Sequence, residues 1–499
     1  MNTLKYIFAL CFLFLVSCEL EREDYTEIYP ENFFKTENDL QLAVNSLYKD
    51  FSSEYSGVYS PNNKGYQTFT EMSTDALWCT WGWEWDELHY QQWYVTMGAN
   101  LPGIIHTAFT RYNYLSKARN MIRNIESSPI KEEVKEKYIA EAKALTGWMG
   151  LFLYDIFGPV PVAPDEVLDN PTTFVYLPRL SEEEYDKFME SNLIDAINNL
   201  PNKATAKGRM TKGAARMILL KYYLIKGYFD KAESLSRDLL AMEGNTYDLQ
   251  TNYNYIFSKE GMGNNEIILQ IPCNVSDYPN YLLAHVVPAD YPWPAEKATV
   301  WGAFVIPWEF YDTFDKDDIR RTNIIAEYTN KKGIKMERGK SGNLLKGALP
   351  LKYGVDPEQT GVQAGIDIIV YRFSDVLLTL AECINRNEGA PTTEAISLVN
   401  RVRTRAGLKD LTAAQTASKE AFNEAILSER GHEFYLEGLR RQDLIRFGKY
   451  VEKANQRIDK ANASGKNYFK ATDIHNRFWI PQGYIDESKG AIKQNGYER

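Results

Sequence analysis

Apolar residues recur at helical spacing in several long stretches of the chain. The first stretch follows a capping box at Thr36-Glu37-Asn38-Asp39 and predicts a helix. The same spacing predicts helices over about 104–125, over 134–156 and over 184–200. Gly158-Pro159-Val160-Pro161 ends one of them, and Ser181-Glu182-Glu183-Glu184 caps the next. The pattern therefore predicts a mostly α-helical chain.

The stretch between Thr211 and Met242 resembles a tetratricopeptide repeat, in which two antiparallel helices approach through small residues. Helix pairs are also predicted at 104–157 and 366–406. A single pair cannot bury its apolar face alone, so about four such pairs predict a curved α-solenoid. The residues that carry the pattern are Ala214, Leu219, Tyr222, Gly227, Tyr228 and Ala232.

A tryptophan-rich stretch, WCTWGWEWDELHYQQW, runs from Trp78 to Trp93 in a predicted loop region between about Ser53 and Trp93. Trp81, Trp83 and Trp85 alternate, so one extended backbone would point them to the same side. Interleaved acidic residues suit a half-wet surface, where an indole offers a flat apolar face and one N–H donor to a sugar ring. The alternative is that the rings only pack a loop onto helices, and Trp78 and Trp93 are assigned to that role.

A second aromatic stretch with little regular structure follows the short predicted strand Glu266–Ile271. Pro292 and Pro294 flank Trp293 and hold the backbone extended there. A long aromatic segment of this kind is usually functional or covers other elements. Its rings are those of Tyr278, Tyr281, Tyr291, Trp293, Trp301 and Trp308.

The N-terminus has the pattern of a lipoprotein signal. Lys5 precedes an apolar run from Tyr6 to Val16, which is shorter than the roughly 20 residues of a membrane span. Leu15-Val16-Ser17-Cys18 resembles a bacterial lipobox, which predicts that Cys18 is acylated; an ordinary secretory signal is the alternative. The acidic tether Glu19–Asp24 resembles a surface-export signal. The sequence therefore predicts an anchored protein on the outer membrane.

Composition narrows the functional classes. A net charge of −10 and a pI near 5.3 argue against a nucleic-acid partner, which needs a basic face. Cys79, Cys273 and Cys383 remain after the signal and the lipid site, and make neither a disulfide framework nor a zinc site. Which of them pair, if any, stays open, as does calcium binding. The histidines are scattered and Gly-rich phosphate loops are absent, so no metal and no cofactor are predicted.

The C-terminal third carries a series of separated motifs that closely resembles the SusD/RagB family of outer-membrane nutrient-binding lipoproteins. A block in the N-terminal half, from Glu141-Ala142-Lys143-Ala144-Leu145 to Phe157–Pro161, matches the same family. The C-terminal motifs are Tyr371–Leu378, Ala381-Glu382-Cys383, Arg401-Val402-Arg403, Glu429–Phe434, Arg441–Leu444, Phe478–Gln482 and Lys493–Tyr497.

The resemblance implies a mostly α-helical fold in which tetratricopeptide-like helix pairs support a loop-rich ligand region. It also implies a cell-surface lipoprotein that is not an enzyme and that delivers oligosaccharides to a SusC-like TonB-dependent transporter. Arg430, Glu433, Arg441 and Asp443 are then scaffold charges. The implied divisions are a signal peptide (1–17), a lipidated tether (18–35), an N-terminal helical region (36–245), a loop-rich region (246–365) and a C-terminal helical region (366–499).

The predicted ligand site combines the two aromatic stretches. Three alternatives remain: RagB-like peptide binding, a glycoside hydrolase using Glu84, Asp86 or Glu87, and a helical-repeat scaffold for protein partners. The sequence does not identify the glycan. We expect sugar rings to stack on Trp81, Trp83, Trp85, Trp293 and Trp301, and sugar hydroxyls to bind Asp75, Glu84, Asp86 and Tyr291.

Overall fold

The computed structural model describes residues 33–52, 57–59, 65–93, 102–340 and 342–497. The signal peptide, Cys18 and the acidic tether lie outside the described residues. No helix within the described ranges combines the length and the apolar character that crossing a bilayer requires. The architecture below therefore concerns the body that follows the predicted tether.

Helices make up most of the described chain, and short strands are confined to the segments between them. The strands are β1 (Trp78–Cys79), β2 (Ile267–Ile271), β3 (Phe304–Pro307), β4 (Ile324–Ile325), β5 (Glu327–Thr329), β6 (Lys335–Glu337), β7 (Gly347–Pro350) and β8 (Ile368–Arg372). The helices are α1 (Glu37–Ser52), α2 (Tyr66–Met72), α3 (Glu84–His89), α4 (Pro102–Thr110), α5 (Asn113–Ser127), α6 (Glu132–Phe157), α7 (Asp165–Leu168), α8 (Glu182–Asn199), α9 (Lys212–Lys226), α10 (Phe229–Leu240), α11 (Tyr253–Ile256), α12 (Leu282–Val286), α13 (Trp308–Tyr311), α14 (Phe373–Glu388), α15 (Thr393–Arg405), α16 (Lys419–Phe434), α17 (Arg440–Arg446), α18 (Tyr450–Ala463) and α19 (Gln482–Glu487).

The long helices form a continuous stack, in which α5 packs on α6, α6 on α8, α8 on α9, α9 on α10, α10 on α14, and α14 on α15. Small residues permit the close approach of α6 and α8, because a Cβ atom added at Gly147 would overlap the side chain of Leu193. The predicted capping box of α8 is present, with the Glu184 N–H donating to Ser181 Oγ at 3.2 Å. The predicted mostly α fold with tetratricopeptide-like helix pairs is confirmed.

Buried ion pairs tie the C-terminal motifs to the helix stack. Glu433 lies among three arginines, and Arg320 Nη1 donates to its Oε2 at 2.8 Å, with Arg372 and Arg405 on the other carboxylate oxygen. Burial raises the pKa of Glu433, but the arginines, Arg405 first, outweigh it and hold the pKa well below its usual range. Arg430 donates to Asp375 and Asp443 at 2.8 and 2.9 Å. These charges are structural, as predicted.

In the described part of the stretch predicted as a loop, from about Ser53 to Trp93, lie the helices α2 and α3 and the strand β1. After β1 the chain turns at Gly82 and Trp83, both with positive φ angles, and then enters α3. Trp85 lies in this helix and is only 2% exposed. The prediction that Trp81, Trp83 and Trp85 share one face of an extended strand is therefore wrong, because the helix turns Trp85 into the core.

Candidate ligand-binding site

The two aromatic stretches are joined by a short antiparallel strand pair. In the β1–β3 register Trp78 lies opposite Val305 and Cys79 opposite Phe304. The pairing continues one step, since the Thr80 N–H donates to the Ala303 carbonyl at 2.9 Å. The residue that follows β1 and the residues that precede β3 are therefore neighbours in space, although they are far apart in sequence.

This pairing places Trp81 beside Trp301. Their ring centroids are 6.3 Å apart with an interplanar angle of 55°. Trp81 is 40% exposed, Trp301 is 44% exposed, and Trp83 at the turn into α3 is 75% exposed. We call these three residues the aromatic platform. Two half-exposed indoles side by side, with a third exposed indole two residues from one of them in sequence, are typical of a recognition surface.

His285 packs against two of the platform rings, those of Trp81 and Trp301. It is buried, lies 5.6 Å from Trp81 and 5.0 Å from Trp301 between ring centroids, and stacks on Phe304 at 4.9 Å. Its Nδ1 lies 2.8 Å from the Tyr281 carbonyl. Burial lowers the pKa of His285 to about 4, so the ring is neutral near pH 7 and acts as an apolar support.

Backbone geometry fixes how the platform is presented. Trp83 has φ = 50°, which is unusual for a bulky residue, and its carbonyl accepts hydrogen bonds from the Asp86 and Glu87 N–H groups. Beside Trp301, Gly302 has φ = 66°, and a Cβ atom there would lie 2.9 Å from the Pro288 Cα. The strained turn and the obligatory glycine hold the rings of Trp83 and Trp301 at the surface.

The other predicted stacking residues do not join the platform. Trp85 is buried in α3, as described above. Trp293 is half-buried against the core, and its indole N–H donates to Gln359 Oε1 at 3.0 Å. Tyr291 is half-buried, with its ring 4.9 Å from that of Tyr328. The segment that Pro292 and Pro294 flank therefore presents Trp293 to the protein core. Its predicted role in stacking, like that of Tyr291 in hydrogen bonding, gains no support from the geometry.

The three predicted carboxylates have different environments. Asp75 receives Arg440 Nε and Nη2 at 2.9 and 3.0 Å, so both of its oxygens are engaged in an ion pair. Burial raises the pKa of Asp75, but Arg440 outweighs this effect and the pKa falls to about 2. Asp86 Oδ1 accepts the Trp78 indole N–H at 3.2 Å. Glu84 is half-buried at the start of α3, next to Trp83. Its place beside the platform keeps it a candidate for sugar hydroxyls.

A separate cavity of about 500 Å³ is lined by Trp78 but by none of the three platform residues. Sequence reasoning missed it, because its walls come from four distant segments and no local pattern marks them. It falls within the usual size range of small-molecule sites. Its lining includes Asp75, Trp78, His89, Tyr90, Trp308, Glu309, Phe310, Lys346, Glu424, His432, Arg440, Lys453, Arg457 and Lys460.

Thiols and metal ligands do not gather at either place in the part of the chain that the structure describes. Cys79, Cys273 and Cys383 are free thiols there. Within the same residues no group of three His, Cys, Asp or Glu side chains is arranged to hold a metal ion.

Comparison with known proteins places this geometry in a family context. Residues 307–497 match the SusD family model. A SusD-like protein of Bacteroides ovatus is 26% identical over 68% of this chain and 65% of its own length. The surface glycan-binding protein A of Bacteroides uniformis superposes with a TM-score of 0.75 and 21% identity, covering 93% of this chain and all of that one.

A third comparison is a structure solved with a ligand. The surface glycan-binding protein A of Bacteroides thetaiotaomicron in complex with laminarihexaose superposes with a TM-score of 0.69 and 20% identity, over 92% of this chain and 99% of that one. At these identities the structures establish the fold. Together with the family match and the motifs, they confirm the predicted resemblance: residues 307–497 match the SusD family model, and the described body shares the fold of the two glycan-binding structures compared above.

Proposed function

We propose that the protein binds an oligosaccharide on the aromatic platform without cleaving it. The observation that carries the proposal is the pairing of Trp81 with Trp301, which brings half-exposed indoles from two distant segments to a centroid distance of 6.3 Å. Indole faces suit the C–H faces of sugar rings, and Trp83 adds a third ring two residues from the first.

The energetics fit a modest affinity built from several contacts. By analogy with aromatic pairs, each stacked sugar contributes about 1 kcal/mol, so three rings supply about 3 kcal/mol. Micromolar binding corresponds to about 8 kcal/mol, and the remainder has to come from hydrogen bonds and buried area. Glu84, beside Trp83, is placed to accept from sugar hydroxyls.

The relatives support a glycan over a peptide. Two of the structures that share this fold are named surface glycan-binding proteins, and one of them holds laminarihexaose. These names describe binding proteins. No observation in the described residues favours a peptide specifically, so RagB-like peptide binding remains an outcome of the test.

We further propose that the bound glycan is delivered to a SusC-like TonB-dependent transporter and that Cys18 carries the lipid anchor on the outer membrane, facing the cell surface. The lipobox-like sequence Leu15–Cys18 and the family motifs support this role. Replacing Cys18 by alanine should release the protein from the membrane fraction of cells. Retention of the Cys18→Ala protein in that fraction would exclude acylation at this residue as the anchor.

Calorimetry and affinity electrophoresis over a polysaccharide panel test the binding proposal. We expect saturable binding to at least one glycan, no binding to protein digests, and no release of reducing sugar on incubation. Binding to digests alone would replace the proposal with the peptide alternative. Release of sugar would show an enzyme instead.

A further inference from the structure

The cavity beside Trp78 carries an excess of positive charge. Five cationic side chains line it against three carboxylates, in a chain whose net charge is −10. Each of these carboxylates is already in an ion pair. The pairs are Asp75 with Arg440, Glu309 with Lys460, and Glu424 with Lys449.

Three cations of the lining, Lys346, Lys453 and Arg457, have no carboxylate in ion-pair contact among the described residues. Arg457 donates Nε to the His89 carbonyl and Nη2 to the Ser73 carbonyl, each at 3.0 Å. Its Nη1 atom is buried and has no hydrogen-bond partner there. A buried guanidinium nitrogen without an acceptor is costly, and it belongs to a cation that lines the cavity.

The two histidines of the lining add no charge to the cavity near neutral pH. His432 and His89 line the cavity but are neutral, since burial lowers the pKa of His432 to about 3 and that of His89 well below its usual range. Lys346 Nζ lies 4.1 Å from the centroid of the Trp78 ring, which is a cation–π contact in the cavity lining. Tyr90, Trp308 and Phe310 complete an apolar lining.

We propose that the cavity binds an anionic group, a carboxylate or a sulfate, carried by a sugar unit. The cations supply the charge, and the apolar walls bound the space that the sugar unit would occupy. The proposal rests on the glycan binding proposed above and narrows its ligand to acidic oligosaccharides. Trp78 in the cavity and Trp81 in the platform are three residues apart, so their Cα atoms lie within about 11 Å of each other.

The test compares charged glycans with uncharged counterparts of the same backbone. The probes are oligogalacturonate against its methyl ester, and a sulfated galactan oligosaccharide against its desulfated form, measured by calorimetry at low salt. We expect one charged form to bind at least tenfold more tightly than its counterpart, and 0.5 M NaCl to remove most of that preference.

The double variant Lys346→Gln/Lys453→Gln tests whether the preference for charged glycans arises in the cavity. It should reduce the affinity for the charged glycan about tenfold and leave the uncharged form unchanged. The matched control Lys332→Gln/Lys466→Gln removes the same charge from exposed positions outside the cavity lining and should bind as wild type does. Circular dichroism checks that both variants are folded.

The outcomes separate the two proposals. Binding of uncharged glycans with no preference for charge would overturn the anionic site and leave the proposed function standing. A charge preference that survives in Lys346→Gln/Lys453→Gln would overturn the location in the cavity. Failure to bind any glycan, charged or not, would overturn both.

Discussion

Arg441 on α17 and Asp155 on α6 form a buried ion pair, with Nη1 and Oδ2 2.8 Å apart. The two residues belong to motif blocks that lie nearly three hundred positions apart in sequence. The Tyr66 hydroxyl donates to the same carboxylate oxygen at 2.8 Å. The pair therefore joins the C-terminal motifs, the helix stack and the first helix of the segment that leads to the platform.

Breaking this pair should destabilise the protein strongly. In Arg441→Met the Asp155 carboxylate stays buried without its cation, and we expect a loss of about 3–5 kcal/mol in the free energy of unfolding. Urea denaturation measures it. The control Lys187→Met removes an exposed pair with Glu183 and should cost less than about 0.5 kcal/mol. Equal losses in the two variants would contradict a structural role for Arg441.

Truncating the platform rings should weaken glycan binding without unfolding the protein. We expect Trp81→Ala, Trp83→Ala and Trp301→Ala each to lose about 1 kcal/mol of binding free energy, roughly fivefold in affinity. Calorimetry with the cognate glycan measures this. Phe174→Ala is the matched control, since that ring is 79% exposed in a different segment. Wild-type affinity in all three tryptophan variants would refute the platform.

Replacing Gly302 should destabilise the protein through the close contact with Pro288 as well as through its positive φ angle. Gly333, which has a positive φ angle but no close contact, separates the two effects. Alanine at 302 meets both an unfavourable φ and the Pro288 backbone, whereas alanine at Gly333 meets an equally unfavourable φ of 75° but open space. We expect Gly302→Ala to cost about 1–3 kcal/mol more in unfolding free energy than Gly333→Ala. It should also weaken glycan binding, because the Trp301 ring shifts. Equal costs would show that the close approach to Pro288 is unimportant.

His285 should make stability fall in acid. Its pKa is lowered to about 4 in the folded protein, so between that value and its unfolded pKa near 6.5 the unfolded chain binds more protons. Acidification from pH 7 to pH 4 should therefore remove about 3 kcal/mol through this residue, while stability above pH 7 is unaffected by it. The measurement is the difference in unfolding free energy between wild type and His285→Gln at several pH values. A constant difference would contradict the assignment.

Much of the scaffold was predictable because its signals are local. The capping box at Thr36–Asp39 is present, with the Thr36 N–H donating to Asp39 Oδ2 at 2.7 Å, and α1 starts at Glu37. The helices α6, α8, α9 and α10 are long enough for apolar periodicity to show. In contrast, α2 and α3 are only seven and six residues long, which is too short for apolar periodicity to show. Both helices therefore fall inside the loop region predicted from about Ser53 to Trp93.

The site was predictable only in part, since its key relations are non-local. The two aromatic stretches pointed to five tryptophans, of which Trp81, Trp83 and Trp301 are exposed, whereas Trp85 and Trp293 are packed. Alternation misplaced Trp85 because the positive φ angles at Gly82 and Trp83, which end the extended run, leave only a weak trace in the sequence. No local sequence pattern predicts the β1–β3 register or the ion pair between Arg440 and Asp75.

The contact between β1 and β3 has a consequence for how such a protein diversifies. In the proposed function, ligand recognition depends on a strand pair two residues long, whereas buried ion pairs between helices elsewhere stabilise the fold. The exposed side chains at 81, 83 and 301 can therefore change without touching the core, and a variant that carries other residues at only these three positions should keep the melting behaviour of the wild type while its sugar preference changes.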